Sequence, residues 1–167
     1  MRCSQGTGVP VQLGSPASAP PAPPVISADE RATLDAIDAV ARRFAQDLPR
    51  AELHRRLGRN PTAIDGDITL VPHAAPLASI IASSTTYQLT LRLRSAIAPA
   101  ILETRFGLFG PCCVDNRESP SFSVILDGAS DPFRVLVEVM YPEPVGADWR
   151  DGPIDEVHLF RSPAHRE

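Results

Sequence analysis

Three groups of side chains in this chain have the types and spacing to do chemistry. Asp65 and Asp67 flank Gly66, and His73 follows shortly after. A carboxylate held at an apolar rim has its charged form disfavoured, so its pKa rises and it can take up a proton. A nearby imidazole titrates close to neutrality and completes an acid–base set. Asp67, His73 and Asp65 are therefore the candidate catalytic residues. The same Asp-Gly-Asp string is also ordinary turn chemistry, because Asp bonds its own backbone and tolerates tight turns. The second group is Cys112-Cys113, adjacent thiols that offer a reactive sulfur or two soft metal ligands. A metal site wants further ligands at recognisable spacing. His54, His73, His158 and His165 are scattered and no C-x2-C string occurs, so neither a metal nor a cofactor is expected. The third group is aromatic: Tyr87, Phe106 and Trp149 are the candidates to line a pocket for a small apolar ligand.

Such groups act only if a scaffold positions them. Ser27-Ala-Asp-Glu30 is a capping box, in which the Ser hydroxyl accepts from the Glu30 amide and the Glu30 carboxylate reaches back. Leu34, Ile37, Ala41, Phe44 and Leu48 follow at helical spacing, which predicts a helix over 28–48 with one buried stripe. Pro49 starts a shorter helix that is anchored by Leu53 and Leu57 and ended by Gly58. Asp65-Gly66 predicts a tight hairpin, and residues 76–82 a short third helix.

From residue 86 to 141 four segments alternate apolar and polar residues, the period of half-buried strands. Strands 86–94 and 101–109 are expected to pair with Leu93 by Leu102, Leu89 by Phe106 and Arg92 by Glu103. Strands 121–126 and 133–141 are expected to pair with Phe122, Val124 and Leu126 against Val137, Val135 and Phe133. On this reading Arg92, Glu103, Arg105, Arg134 and Glu138 line a wet outer face. Residues 154–161 predict one further strand, with His158 on a sheet edge. The fold class expected is α+β, with N-terminal helices packed on a curved, cone-like antiparallel sheet of four to six strands.

The bulk properties narrow the function classes. The chain has 167 residues, enough for one domain and a tail. Residues 1–26 hold six prolines among Ala, Ser and Gly, a composition that predicts a disordered tail ahead of a single domain over 27–167. All 16 basic residues are Arg, yet the net charge is −4, which argues against nucleic acid or an anionic membrane as the main partner. Arg50, Arg55, Arg56 and Arg59 form a local basic run, read here as the solvated face of a short helix. No apolar run approaches the ~20 residues that cross a bilayer, and the N-terminus has no secretion-signal pattern. Cytoplasm is the expected compartment.

The order of elements, two helices, a hairpin, a third helix and four long strands, resembles the SnoaL-like group of the superfamily related to nuclear transport factor two. Leu102-Glu-Thr-Arg-Phe-Gly-Leu-Phe109 and Phe133-Arg-Val-Leu-Val-Glu-Val-Met-Tyr-Pro142 are similar to its central strands. The resemblance implies a cone with an apolar pocket at its mouth, dimerisation through the outer sheet face, and either isomerase- or cyclase-type chemistry or plain binding.

Three functions compete. The leading expectation is a small-hydrophobic-ligand pocket with Asp67 or His73 lining it. The alternative is a non-catalytic dimerisation or adaptor domain, with a homodimer as the assembly. A thiol or metal protein built on Cys112 and Cys113 ranks third.

Overall fold

The structure, a computed structural model, describes residues 22–85, 87–111, 121–128, 130–141, 146 and 148–164. Helix α1 spans Ala28–Phe44, and its capping box forms as expected: the Glu30 amide donates to Ser27 Oγ at 3.2 Å, and the Ser27 amide to Glu30 Oε2 at 2.8 Å. The bonds to Ser27 hold the Glu30 carboxyl below its usual range. Leu34, Ile37, Ala41 and Phe44 are all buried, as the stripe read from the sequence requires, but the helix stops at Phe44, short of the expected residue 48, and Leu48 lies beyond it, partly buried. Helix α2, Arg50–Leu57, follows Pro49 and buries Leu53 and Leu57.

Gly58 ends α2 for a different reason from the expected one. Its φ is −169°, an extended value open to any residue. What excludes a side chain is proximity: a Cβ here would lie 2.5 Å from the Val71 carbonyl oxygen and 2.9 Å from Leu70 Cβ. Glycine therefore lets the chain pass from α2 directly into the sheet.

Eight strands follow: β1 (Gly58–Ile64), β2 (Asp67–Pro72), β3 (Leu77–Ala82), β4 (Gln88–Ile97), β5 (Gly110–Pro111), β6 (Ser121–Leu126), β7 (Phe133–Met140) and β8 (Ile154–Pro163). Helix α3, Pro99–Phe106, and one 3-10 turn, Trp149–Asp151, complete the described elements. All pairings are antiparallel, in the order β1-β2-β3-β4-β8-β7-β6-β5. Two four-stranded meanders, each entered from a helix, thus join through their last strands, β4 and β8. The expected cone of four to six strands is overturned by this single open sheet of eight.

The register sorts side chains onto two faces. One row, Ile68–Ala82–Leu89–Leu159–Val137–Val124, crosses six strands and belongs to the core. The adjacent row, Thr69–Ile81–Thr90–His158–Glu138–Ser123, lies on the opposite face, as the alternation of a pleated strand demands. The helices cover the first face. Arg161 ties α1 to it, donating to the Phe44 carbonyl at 3.1 Å while its guanidinium lies 4.8 Å from the Phe44 ring and 4.6 Å from the Phe133 ring.

Four expectations about elements are corrected. Residues 77–82 are a strand, not a helix; a register shift between Leu77 and Ser79 breaks the alternation and leaves Leu77, Ile80 and Ile81 at deceptive helical spacing. Residues 101–106 belong to a helix, not a strand. Pro99 occupies its first turn and Gly107, at φ +97°, ends it, while Leu102 and Phe106 are buried four residues apart. Arg92 accordingly pairs with Glu156 at 3.1 Å rather than Glu103. The β6–β7 hairpin keeps its predicted faces but is slipped by two residues, with Leu126 opposite Val135. Finally, β8 lies inside the sheet between β4 and β7, so His158 is not on an edge.

Candidate binding cleft

The Asp65-Gly66 turn forms as the sequence predicts. Both residues take positive φ, +51° and +89°, and join Ile64 to Asp67 in a two-residue hairpin whose handedness matches the twist of the flanking strands. Asp67 Oδ1 accepts from the Ser84 amide at 2.8 Å, tying the turn to the loop after β3. The two aspartates are therefore turn and tether. His73 lies beyond the other end of β2, six residues on and roughly 20 Å away at strand rise. Proximity in sequence does not bring these groups together, because an extended strand separates them.

His73 instead meets helix α2. Its amide donates to the Leu57 carbonyl at 3.2 Å, and its Nε2 lies 3.0 Å from the Arg55 carbonyl. A carbonyl only accepts, so Nε2 carries the proton in this contact. Ring and backbone amide of His73 thereby satisfy two of the last carbonyls of α2, those of Arg55 and Leu57, which have no partner within the helix.

This contact closes one end of a cleft of about 460 Å³ between α2 and the β1–β2 hairpin, lined by Ala51, His54, Arg55, Gly58, Arg59, Pro61, Leu70 and His73. Each element supplies part of it. Ala51, His54 and Arg55 come from successive turns of α2, Leu70 forms a buried floor from β2, and Arg59 and Pro61 project from the edge strand β1. Burial, and secondarily the Arg50 cation, pull the His54 imidazole below its ordinary range, so it stays neutral and able to accept a proton. Arg55 and Arg56 share Glu52, the latter pair at 2.6 Å, and these bonds hold the Glu52 carboxyl low. The Arg59 side chain makes no hydrogen bond or ion pair with any described residue. Among the described residues no Asp or Glu lines the cleft.

A second hollow, of about 300 Å³, lies between α1, the end of α3 and the β6–β7 connection. Asp38, Asp127 and Asp131 meet Arg42 and Arg105 there. Most of its charges are paired, and of its three aspartates only Asp131 has no ion pair among the described residues. Arg42 binds Asp38 at 3.0 Å, Arg105 reaches Asp35 and Asp38, and Arg134 lies 3.1 Å from Asp127.

The helix-free face carries a third polar set. His158 Nε2 lies 3.0 Å from Glu156 Oε1 and its Nδ1 3.3 Å from Thr90 Oγ1, with Arg92 on the far side of Glu156. Glu138, expected on a wet face, is buried beside His158.

The aromatic candidates disperse. Phe106 is buried and lines the second hollow. Trp149 is buried in the turn after β7, stacked 3.7 Å from Phe122, with the Tyr141 hydroxyl donating to its carbonyl at 3.1 Å. Glu103, expected outside, accepts from Arg150 Nε at 2.9 Å beneath that cluster. Tyr87 is 56% exposed at the start of β4. Cys112 and Cys113 lie outside the described residues. Among the described residues no three His, Cys, Asp or Glu are grouped to hold a metal ion, and no helix is long and apolar enough to cross a membrane.

No family model, curated protein or solved structure matches this chain. The resemblance to the SnoaL-like group, read from the order of elements, has no match among these comparisons to support it.

Of the catalytic candidates, only His73 lines the cleft. His54, Arg59 and Leu70 were not singled out as a site by the sequence. The run His54-Arg55-Arg56 with Arg59 was visible, but it reads equally as a solvated helix face. The close packing of α2 on β2 through Gly58 is what turns that face into a wall.

Proposed function

We propose that the protein binds a small, largely apolar molecule in the cleft between α2 and the β1–β2 hairpin. The observation that carries this reading is a 460 Å³ hollow whose floor and walls include Leu70, Pro61, Ala51 and Gly58. That volume falls in the range of small-molecule sites, and apolar walls with a few polar groups are their usual chemistry. His54 and His73 sit where they can orient a polar end of the ligand. His54, held neutral, is the group placed to accept a proton should the bound molecule be transformed. Binding is the primary reading, because among the described residues no carboxylate lines the cleft to complete an acid–base pair.

The test uses 2-naphthol, a neutral apolar probe, titrated into isotope-labelled protein. Amide signals around residues 51–61 and 70–73 should shift in a saturable way. Ala51→Trp, which fills the cleft from an exposed helix position, should abolish the shifts while leaving the circular dichroism spectrum unchanged. Saturable shifts that persist in Ala51→Trp would place the ligand elsewhere.

A further inference from the structure

We infer that the molecule bound in this cleft is an acid: an apolar body carrying a single carboxylate, with Arg59 as its counter-ion. The inference rests on the cleft being a binding site, and it adds the chemical class of the occupant.

Three observations support it. The first is charge. The chain carries a net −4, yet among the described residues no Asp or Glu lines the cleft; Arg55 is held by Glu52 just outside the lining, and Arg59 is the cation left over. One unmatched guanidinium gives the hollow a local attractive potential, against the sign of the molecule as a whole. The second is the state of Arg59. Arg55 and Arg56 are engaged by Glu52, and Arg50 donates to the Ser83 and Ser84 carbonyls at 3.2 Å each. Arg59 alone of this basic run is left without a partner among the described residues. It stands on β1 at the cleft wall, with its fork of donors matched to a carboxylate. The third is the lining, which is too apolar for a fully polar anion to fill.

The helix end distinguishes a carboxylate from a phosphate. The cleft abuts the C-terminus of α2, where His73 caps the Arg55 and Leu57 carbonyls. That end of a helix carries partial negative charge, the reverse of a phosphate cradle. A dianion would be repelled about twice as strongly as a monoanion. A monoanion held at Arg59, with its apolar body over Leu70 and Pro61, meets the smaller repulsion and buries its hydrocarbon.

The experiment compares three probes of one shape: 2-naphthoate, 2-naphthol and 2-naphthylmethylamine, measured by calorimetry and amide shifts at pH 7.5. Naphthoate should bind at least about tenfold more tightly than naphthol, the increment of one charge-assisted pair, and the amine more weakly than either. Arg59→Gln should remove the advantage of naphthoate and leave naphthol unchanged, while Arg59→Lys should restore part of it. Added salt should weaken naphthoate alone. Equal affinity for naphthoate and naphthol at the cleft would overturn the inference and leave the binding reading intact. Failure of all three probes to perturb cleft residues would overturn both. Arg59 lies exposed on an edge strand, so an unchanged melting temperature in Arg59→Gln confirms that the loss is one of recognition.

Discussion

The two hollows of this molecule are built from similar materials and differ in one respect. Each is roofed by a helix, floored by the sheet and rimmed with arginines. In the hollow under α1 and α3, three aspartates meet two arginines, and the ion pairs run between elements: Arg105 of α3 to Asp35 and Asp38 of α1, with Arg42 also on Asp38. In the cleft beside α2, Arg55 is held by Glu52, and Arg59 has no acid among the described residues. Folding explains the pairs of the first hollow, since they fasten helix to helix. It does not explain Arg59, because a cation left unpaired adds nothing to the fold. An arginine without an acid at an apolar hollow, rather than the hollow itself, is the mark of a missing partner.

This contrast can be broken most severely at the cleft floor. Leu70→Ala removes a side chain that is 1% exposed and should cost about 2–5 kcal/mol, read as a fall in denaturant midpoint. If the fold survives, it should also alter naphthol affinity, whereas an equally buried residue remote from the cleft, such as Leu102, should not. Gly58→Ala comes next. Its Cβ would press on the Val71 carbonyl, so α2 must shift from β2, at about 1–3 kcal/mol and with loss of probe binding. Stability unchanged by Gly58→Ala would mean that α2 does not pack on the hairpin this way.

Smaller effects separate the two hollows further. Burial lowers the His54 pKa in the folded state, so the unfolded chain binds that proton more readily. The sign follows: its contribution is fully present above the ordinary imidazole value near 6.5 and declines as pH falls through it toward the folded value. His54→Gln should flatten stability across that window, and an NMR titration should place the His54 midpoint below 6.5. A midpoint above 6.5 would contradict the buried, cation-flanked setting. In the paired hollow, Arg105→Ala breaks half-exposed ion pairs and should cost no more than about 1 kcal/mol, with no effect on any naphthalene probe.

The sequence was legible where one period had one meaning. The capping box at Ser27 and Glu30, the α1 stripe as far as Phe44, the two anchors of α2 and the Asp65-Gly66 turn all formed as read, because each rests on contacts within a few residues. It misled where two periods coincided. Leu102 and Phe106 are spaced by four, which fits one face of a strand and one face of a helix alike; the first-turn Pro99 and the closing Gly107 carried the missing information. At β3 an irregularity at Ser79 disguised a strand as a helix. The central position of β8, and with it the environment of His158, depends on which distant strands pair, and no local pattern encodes that. The cleft was legible only in part. His73 was named from its residue type, but its companions come from α2 and β1, joined through the close approach at Gly58 rather than through any motif. Asp65 and Asp67, its neighbours in sequence, lie at the far end of β2.

The most direct test of the contrast maps where an apolar acid goes. Titration of isotope-labelled protein with 2-naphthoate should shift amides of residues 51–61 and 70–73 and leave those of Asp38, Arg42, Arg105 and Asp131 unmoved. Saturable shifts centred on the second set, with the first silent, would contradict the account.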